Sequence, residues 1–173
     1  MLFRSDAVNR IQSIATVHEI LYSTDNFSVI YLDKYLEKLT LNIAKTNPSF
    51  ISDIELVTNF DHVGISINQA VPVGLLLNEL ITNSLKHAFN GINNGSISIS
   101  VSNVDDTTVK IQYSDSGAGF DDKLLDNGSS LGYKLINSLL LQLEATHSIK
   151  TKDGFKLECT FKSEEIDDVQ LSI

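Results

Sequence analysis

The segment 68–89 constrains the fold most, because it predicts one long helix with two unlike sides. Pro72 is expected in its first turn, where a missing N–H costs little. The apolar side carries Val73, Leu77, Leu80, Ile81 and Ala88, and the polar side carries Glu79, Asn83, Lys86 and Asn90. These polar residues are spaced i, i+4, i+7 and i+11, so an α-helix aligns them on one stripe. The apolar side needs a second structural layer to cover it.

The polar stripe has two interpretations, a face in water or a ligand site. Asn is a mediocre helix former, so two of them on one face favour a binding role. The amide oxygen of Asn83 suits Mg²⁺, a hard cation that shares its coordination with phosphate oxygens. Lys86 can neutralise phosphate charge, and Glu79 can orient a water or accept a proton. The stripe alone leaves both interpretations open.

Helical and strand patterns elsewhere predict an α+β fold. Apolar periodicity indicates helices over 5–23 and 30–45, joined as an antiparallel hairpin. Further patterns indicate strands at 54–56, 64–67, 97–101, 109–113, 146–151 and 155–162, and a helix at 131–143. We expect a helical hairpin over 1–48, an α/β sandwich of one sheet and a helical layer over 49–163, and an acidic tail over 164–173.

Two glycine-containing motifs follow the predicted strands. Residues 115–119 read Asp-Ser-Gly-Ala-Gly. Glycines there let the backbone approach a flat ligand, and the carboxylate can accept a hydrogen bond from an amine such as that of adenine. Residues 128–132 read Gly-Ser-Ser-Leu-Gly and open a helix, whose first N–H groups can bind phosphate. Each motif alone also fits a plain turn or an ordinary helix cap.

Composition limits the partners. The chain has 13 Lys and Arg against 22 Asp and Glu, a formal charge of -9, which argues against nucleic acid and anionic membranes but allows a small anion. Its single cysteine, Cys159, excludes an internal disulfide and a cysteine zinc cluster. The sequence has no apolar signal core at its start and no membrane-spanning stretch. We therefore expect a cytoplasmic chain without direct membrane contact.

The order of the motifs is more specific than any one of them. An Asn/Lys helix, two strands, Asp-x-Gly-x-Gly, a loop and Ser-x-Gly opening a helix resemble the GHKL superfamily of sensor histidine kinases, type II topoisomerases, Hsp90 chaperones and MutL proteins. Residues 78–89 resemble its N box, 115–119 its G1 box and 128–132 its G2 box. The segments 9–24 and 31–39 resemble the dimerisation region of HisKA_2-type sensor histidine kinases. The resemblance implies a Bergerat-type fold that binds ATP.

The resemblance also implies a role for each box residue. Asn83 would hold Mg²⁺, Asp115 would read the adenine amine, and Glu79 stands at the position of the superfamily's general base. Lys86 and His87 would face the phosphates. The candidate catalytic residues are therefore Glu79, from its general-base position, and Lys86, from its place at the phosphates. The remaining ATP-binding candidates are Gly117, Gly119, Ser130, Leu131 and Gly132.

By the same resemblance, the γ-phosphate of ATP would pass to a His and then to an Asp of a response regulator, in a homodimer formed through the N-terminal helices. The family's phosphoacceptor His, followed by Arg and Asn residues, is absent from this sequence. His18 is a poor substitute, because it shares an apolar seam with Ile11, Ala15 and Tyr22. We therefore expect this chain not to autophosphorylate alone.

Two departures from the superfamily pattern keep other functions open. Ser130 stands where the G2 box usually has glycine, and Phe155 follows Gly154 where Thr is common, so one adenine-side contact is at risk. These departures allow a non-catalytic module that dimerises or docks a receiver domain. A serine kinase of the anti-sigma-factor type has similar boxes and length, but such proteins begin with a strand instead of a helical hairpin.

Overall fold

A computed structural model describes residues 11, 15, 29–47, 53–92, 94–119 and 131–164. They form helices and a mixed sheet, the α+β fold that the sequence predicts. The helices are α1 (Leu32–Thr46), α2 (Ile67–Asn83), a π-helical segment (Ser84–Ala88) and α3 (Leu131–Gln142). The strands are β1 (Ile30–Tyr31), β2 (Ile54–Phe60), β3 (Gly64–Ile65), β4 (Gly95–Asp105), β5 (Thr108–Asp115), β6 (Thr146–Lys150) and β7 (Lys156–Lys162).

The main sheet has the strand order β2-β4-β5-β7-β6. β2 runs parallel to β4, and every other neighbouring pair is antiparallel. Successive side chains of a strand point to opposite faces, and in β4 Ile97, Ile99 and Val101 are buried while Ser98 is exposed. The sheet therefore has one apolar face, which the helices cover, and one polar face.

The long helix α2 lies at the centre of the helical layer. It contacts α1 and α3 and shares one hydrophobic core with the sheet. The hydroxyl of Ser66 caps it by accepting a hydrogen bond from the N–H of Gln69 at 3.3 Å. Because this cap starts the helix at Ile67, Pro72 falls in the second turn, and its predicted place in the first turn is wrong.

Helix α1 packs against α2 through a tyrosine. Tyr35 is fully buried, and a Cβ built at Gly74 of α2 would lie 1.6 Å from its hydroxyl oxygen. Only glycine therefore leaves room for this ring. Just before α1, β1 pairs with β3 through Ile30 and Ile65. The domain boundary at residue 49 stays a prediction, while α1 contributes its apolar face to the same core as the sheet.

The first predicted helix falls largely outside the described residues, of which Ile11 and Ala15 are helical. The acidic tail beyond Glu164 also lies outside them. Within the described part of the chain, no helix has the length and hydropathy to cross a membrane.

Candidate functional site

The end of α2 carries Glu79 and Asn83 one turn apart. Glu79 is only 5% exposed, and Asn83 is half-buried. The interpretation of the stripe as a face in water is therefore wrong at Glu79. A buried carboxylate needs polar partners to compensate its burial, so Glu79 is not an ordinary surface side chain, and it lies one turn from Asn83.

The helix changes type immediately after Asn83. Ser84–Ala88 form a π-helical segment, so the prediction of a continuous α-helix is wrong there. A π turn contains more residues than an α turn, which rotates Lys86 away from the line of Glu79 and Asn83. Asn90 lies in the turn beyond the helix and leaves the stripe altogether. Such π segments are rare and frequently occur at functional sites.

Two candidate phosphate-binding side chains lie within the π segment. Lys86 is half-buried and His87 is exposed. Lys86 is the only Lys or Arg between Lys45 and Lys110 in the sequence. The elements between Lys45 and Lys110 therefore offer an anion only this one Lys or Arg side chain, while Lys134 of α3 and Lys152, which pairs with Gly119, lie on other elements that border the site.

Asp115 ends β5 and is 5% exposed. Its Oδ1 accepts hydrogen bonds from the N–H groups of Gly117 at 3.0 Å and Phe155 at 3.1 Å. Its Oδ2 accepts one from the hydroxyl of Ser84 at 2.5 Å. A carboxylate has about four acceptor positions, so these described donors leave one position, on Oδ2, for a hydrogen of a ligand.

Ser84 and Tyr113 extend this network, and sequence reasoning missed both. Tyr113 donates a hydrogen bond to Oγ of Ser84 at 2.8 Å. Burial raises the pKa of Tyr113, which keeps its phenol protonated. The sequence did carry a signal for Ser84, since it lies four residues from both Leu80 and Ala88 on the apolar side of the helix. A hydroxyl on that side has to find a buried partner.

The loop after β5 packs tightly on protein as well as bordering the site. The N–H of Ala118 donates to the carbonyl of Ala88 at 3.1 Å, and a Cβ at Gly117 would lie 2.4 Å from the Cβ of Ala88. Gly119 has a φ of +69°, and a Cβ there would lie 2.1 Å from the carbonyl oxygen of Thr151. Both glycines therefore permit close backbone packing, a requirement beyond the ligand approach expected of them.

The turn before β7 closes on Asp115 through its backbone. The N–H of Asp115 donates to the carbonyl of Phe155 at 2.9 Å, while the N–H of Phe155 reaches the carboxylate. Gly154 has a φ of +94°, and a Cβ there would lie 2.1 Å from the carbonyl oxygen of Asp115. The unusual Phe155 therefore keeps this closure, because main-chain atoms make it.

The glycine-containing motif that ends at Gly132 meets the polar stripe of α2 there, in the first turn of α3. A Cβ at Gly132 would lie 3.4 Å from both terminal amide atoms of Asn83 and 3.7 Å from Oε2 of Glu79. Leu131 is the first residue of α3, while Ser130 and His18 lie outside the described residues. The fold thus brings the ends of two helices together at Asn83, with the Asp115 network attached to the next residue of the chain.

Comparison with known proteins identifies the family of this chain. Residues 68–165 match the model of a family described as histidine kinase-, DNA gyrase B-, and HSP90-like ATPase. The chain belongs to this ATPase family. Residues 2–47 match the HisKA_2 family, described as histidine kinase. No curated protein matches the chain. The ATPase match contains α2, Asp115 and Gly132, so it covers all three parts of the candidate site.

Solved structures of histidine kinases share the fold of this ATPase-family chain. The histidine kinase domain of the Erythrobacter litoralis EL346 blue-light activated histidine kinase aligns with a TM-score of 0.80 at 20% identity, over 90% of this chain and 74% of that one. The Erythrobacter litoralis EL346 blue-light activated histidine kinase itself aligns at 0.76 and 20% identity, over 94% of this chain but only 55% of its own. The catalytic domain of histidine kinase ThkA aligns at 0.64 and 13% identity, over 79% and 96%.

Proposed function

We propose that this chain is the ATP-binding catalytic region of a two-component sensor histidine kinase. It would transfer the γ-phosphate of ATP to a His side chain, for relay to an Asp of a response regulator. The observation that carries the proposal is the meeting of Gly132 with Asn83 and Glu79, one residue from the hydrogen-bonded network of Asp115. A candidate phosphate-binding helix start and a candidate adenine-reading carboxylate thereby meet at one end of α2.

Mg²⁺ fits the residues around Asn83. The amide oxygen is a hard ligand, and the missing side chain at Gly132 leaves the amide uncovered on that side. Asn83 would hold the ion, which when bound neutralises phosphate charge during phosphoryl transfer. Since Lys86 is the only Lys or Arg between Lys45 and Lys110, we expect nucleotide affinity to depend strongly on the metal.

The other residues have roles that follow from their places. The 6-amino group of adenine would donate to Asp115, and the first N–H groups of α3 would bind phosphate oxygens. Lys86 and the more exposed His87 would stabilise phosphate charge. Buried Glu79 would orient the attacking imidazole or a water. The receiving nitrogen forms a bond to the γ-phosphorus while the bond to the ADP oxygen breaks, so catalysis consists mainly of positioning and charge neutralisation.

Two protein partners belong to the proposal. The HisKA_2 match over residues 2–47 supports a homodimer through the N-terminal helices. It also supports a histidine kinase over a serine kinase of the anti-sigma-factor type. The response regulator follows from the proposed phosphorelay and is the further partner to be tested.

Calorimetric titration with ATP and Mg²⁺ tests the nucleotide site. We expect weak binding by the parent chain, and its loss in Asn83→Ala and Asp115→Asn. Asn137→Ala and Asp106→Asn change an exposed helical asparagine and an exposed turn aspartate, and these matched controls should bind like the parent. A parent chain that binds no nucleotide would contradict the proposal. Unchanged affinity after chelation of the metal would contradict the role of Mg²⁺.

The chemistry of the phosphate product tests the reaction class. The chain is incubated with γ-labelled ATP and candidate partner proteins of the same organism. Acid-labile, alkali-stable label on a partner identifies phosphohistidine, as we expect. Acid-stable label would instead identify a serine kinase. Receiver binding by a chain without nucleotide affinity would favour the non-catalytic docking module.

A further inference from the structure

We infer that Ser84 is a positioning residue for adenine recognition, whose hydroxyl, held by Tyr113, fixes the Asp115 carboxylate in its amine-accepting orientation. The inference rests on the proposed ATP site. It adds Ser84 to Asn83 of the N box and Asp115 of the G1 box, which already have proposed roles there. Ser84, Tyr113 and Asp115 are 4%, 2% and 5% exposed, so water does not compete freely for their hydrogen bonds.

The direction of the Ser84 hydroxyl is unusual for a helix. A helical serine often donates to the carbonyl four residues earlier, which here belongs to Leu80. That carbonyl instead has the Tyr113 hydroxyl at 3.1 Å. The Ser84 hydroxyl donates across to Oδ2 of Asp115 at 2.5 Å. The helix thereby uses this side chain to hold a group on the neighbouring strand.

The order of hydrogens in the network follows from its acceptors. A carboxylate oxygen accepts, so Ser84 donates to Asp115, and Oγ of Ser84 shares the single hydroxyl hydrogen of Tyr113 with the carbonyl of Leu80. The two backbone N–H groups hold Oδ1, while Ser84 holds Oδ2. Without the Ser84 hydroxyl, Oδ2 keeps no described donor, and only the two N–H groups on Oδ1 limit rotation of the carboxylate about the Cβ–Cγ bond. The remaining acceptor position, which would receive the adenine amine, is then no longer fixed.

A nucleotide analogue separates this role from general support of the fold. Purine riboside triphosphate has the ring, ribose and phosphates of ATP but lacks the 6-amino group. Ser84→Ala should weaken ATP binding about tenfold, the size expected for one lost hydrogen bond to a charged group. It should change the dissociation constant of the analogue less than twofold. Ser84→Thr retains the hydroxyl and should restore the preference for ATP.

The experiment titrates both nucleotides, with excess Mg²⁺, into the parent chain and its variants. Ser138→Ala replaces an exposed serine of α3 and serves as the matched control. Tyr113→Phe is the second variant, since it releases the Ser84 hydroxyl without removing it. It should reduce the preference for ATP over the analogue about threefold, part of the Ser84→Ala effect. Thermal unfolding of each variant verifies that it is folded at the titration temperature.

The outcomes are distinct. Loss of ATP affinity with retained analogue affinity in Ser84→Ala supports the inference. Equal losses for both nucleotides, or unchanged ATP affinity, would overturn it while leaving the ATP site intact. Binding of neither nucleotide by the parent chain would overturn the proposed function and this inference with it.

Discussion

A Tyr35→Phe substitution should raise the free energy of unfolding. Tyr35 is 0% exposed, and its hydroxyl has no hydrogen-bond partner among the described residues. Burying an unpaired hydroxyl costs about 1–3 kcal/mol. Removing it also gives up the contact with Gly74, which offsets part of the gain. We therefore expect a net stabilisation of about 1 kcal/mol.

The same substitution at Tyr113 is the matched control, with the opposite expected sign. Tyr113 is 2% exposed, but its hydroxyl bonds to Oγ of Ser84 at 2.8 Å. Phe would remove that bond and leave a buried acceptor unsatisfied, at a cost of about 1–2 kcal/mol. Both variants delete one oxygen from a buried tyrosine, so the difference between them reports hydrogen bonding and not ring size.

Urea unfolding followed by far-ultraviolet circular dichroism measures both changes. A difference of 1 kcal/mol corresponds to a shift of about 2–4 °C in melting temperature for a chain of this size. The slope against urea should stay constant, because neither variant changes the surface exposed on unfolding. Destabilisation of Tyr35→Phe by as much as Tyr113→Phe would refute the reasoning and reveal a partner for the Tyr35 hydroxyl.

Three further expectations concern backbone strain, thiol reactivity and acid stability. Gly154→Ala should destabilise the chain by at least about 3 kcal/mol in urea unfolding through strain and overlap. Gly91→Ala, at a φ of +77° with nothing within 4 Å, should cost only about 1 kcal/mol, and equal costs would contradict the close packing at Gly154. Burial raises the pKa of Cys159 to about 12, so iodoacetamide at pH 8 should label it only as the chain unfolds; rapid labelling of folded chain by mass spectrometry would contradict this. The N–H of Thr107 and other donors lower the pKa of Asp105 to about 2. The resulting stabilisation is present above about pH 4 and disappears toward pH 2, so Asp105→Asn should flatten that part of a stability–pH curve, and an unchanged curve would count against it.

The sequence predicted the features that depend on the residues of one helix or of adjacent strands. The alternation in β4 and β5 identified both strands and their turn, because side-chain direction in a strand repeats every two residues. Glu79 and Asn83 could be paired from their spacing alone, since both lie on α2. The parallel pairing of β2 with β4 depends on two segments separated by α2, and no local pattern specifies it.

What the sequence did not predict depends on contacts between distant segments. Ser84 lies 31 residues from Asp115, and Asp115 lies 40 residues from Phe155. Gly154 has a positive φ, and the end of β5 at Asp115 lies too close to it for a Cβ. The π-helical segment departs from the α-helix that the residue spacing predicts, and it packs against the loop at Gly117. Residue spacing predicts neither the positive φ of Gly154 nor the π-helical segment.

The seating of Tyr35 on Gly74 has a mechanical consequence. Gly74 is five residues before Glu79 on the same helix, about 7.5 Å along its axis at 1.5 Å per residue. A push or twist applied to α1 must therefore displace α2 or pull the tyrosine out of its seat. If α2 is displaced, Glu79 and Asn83 move with it, because both lie on this one continuous helix. A movement of α1 can therefore reach the residues that would bind the phosphates.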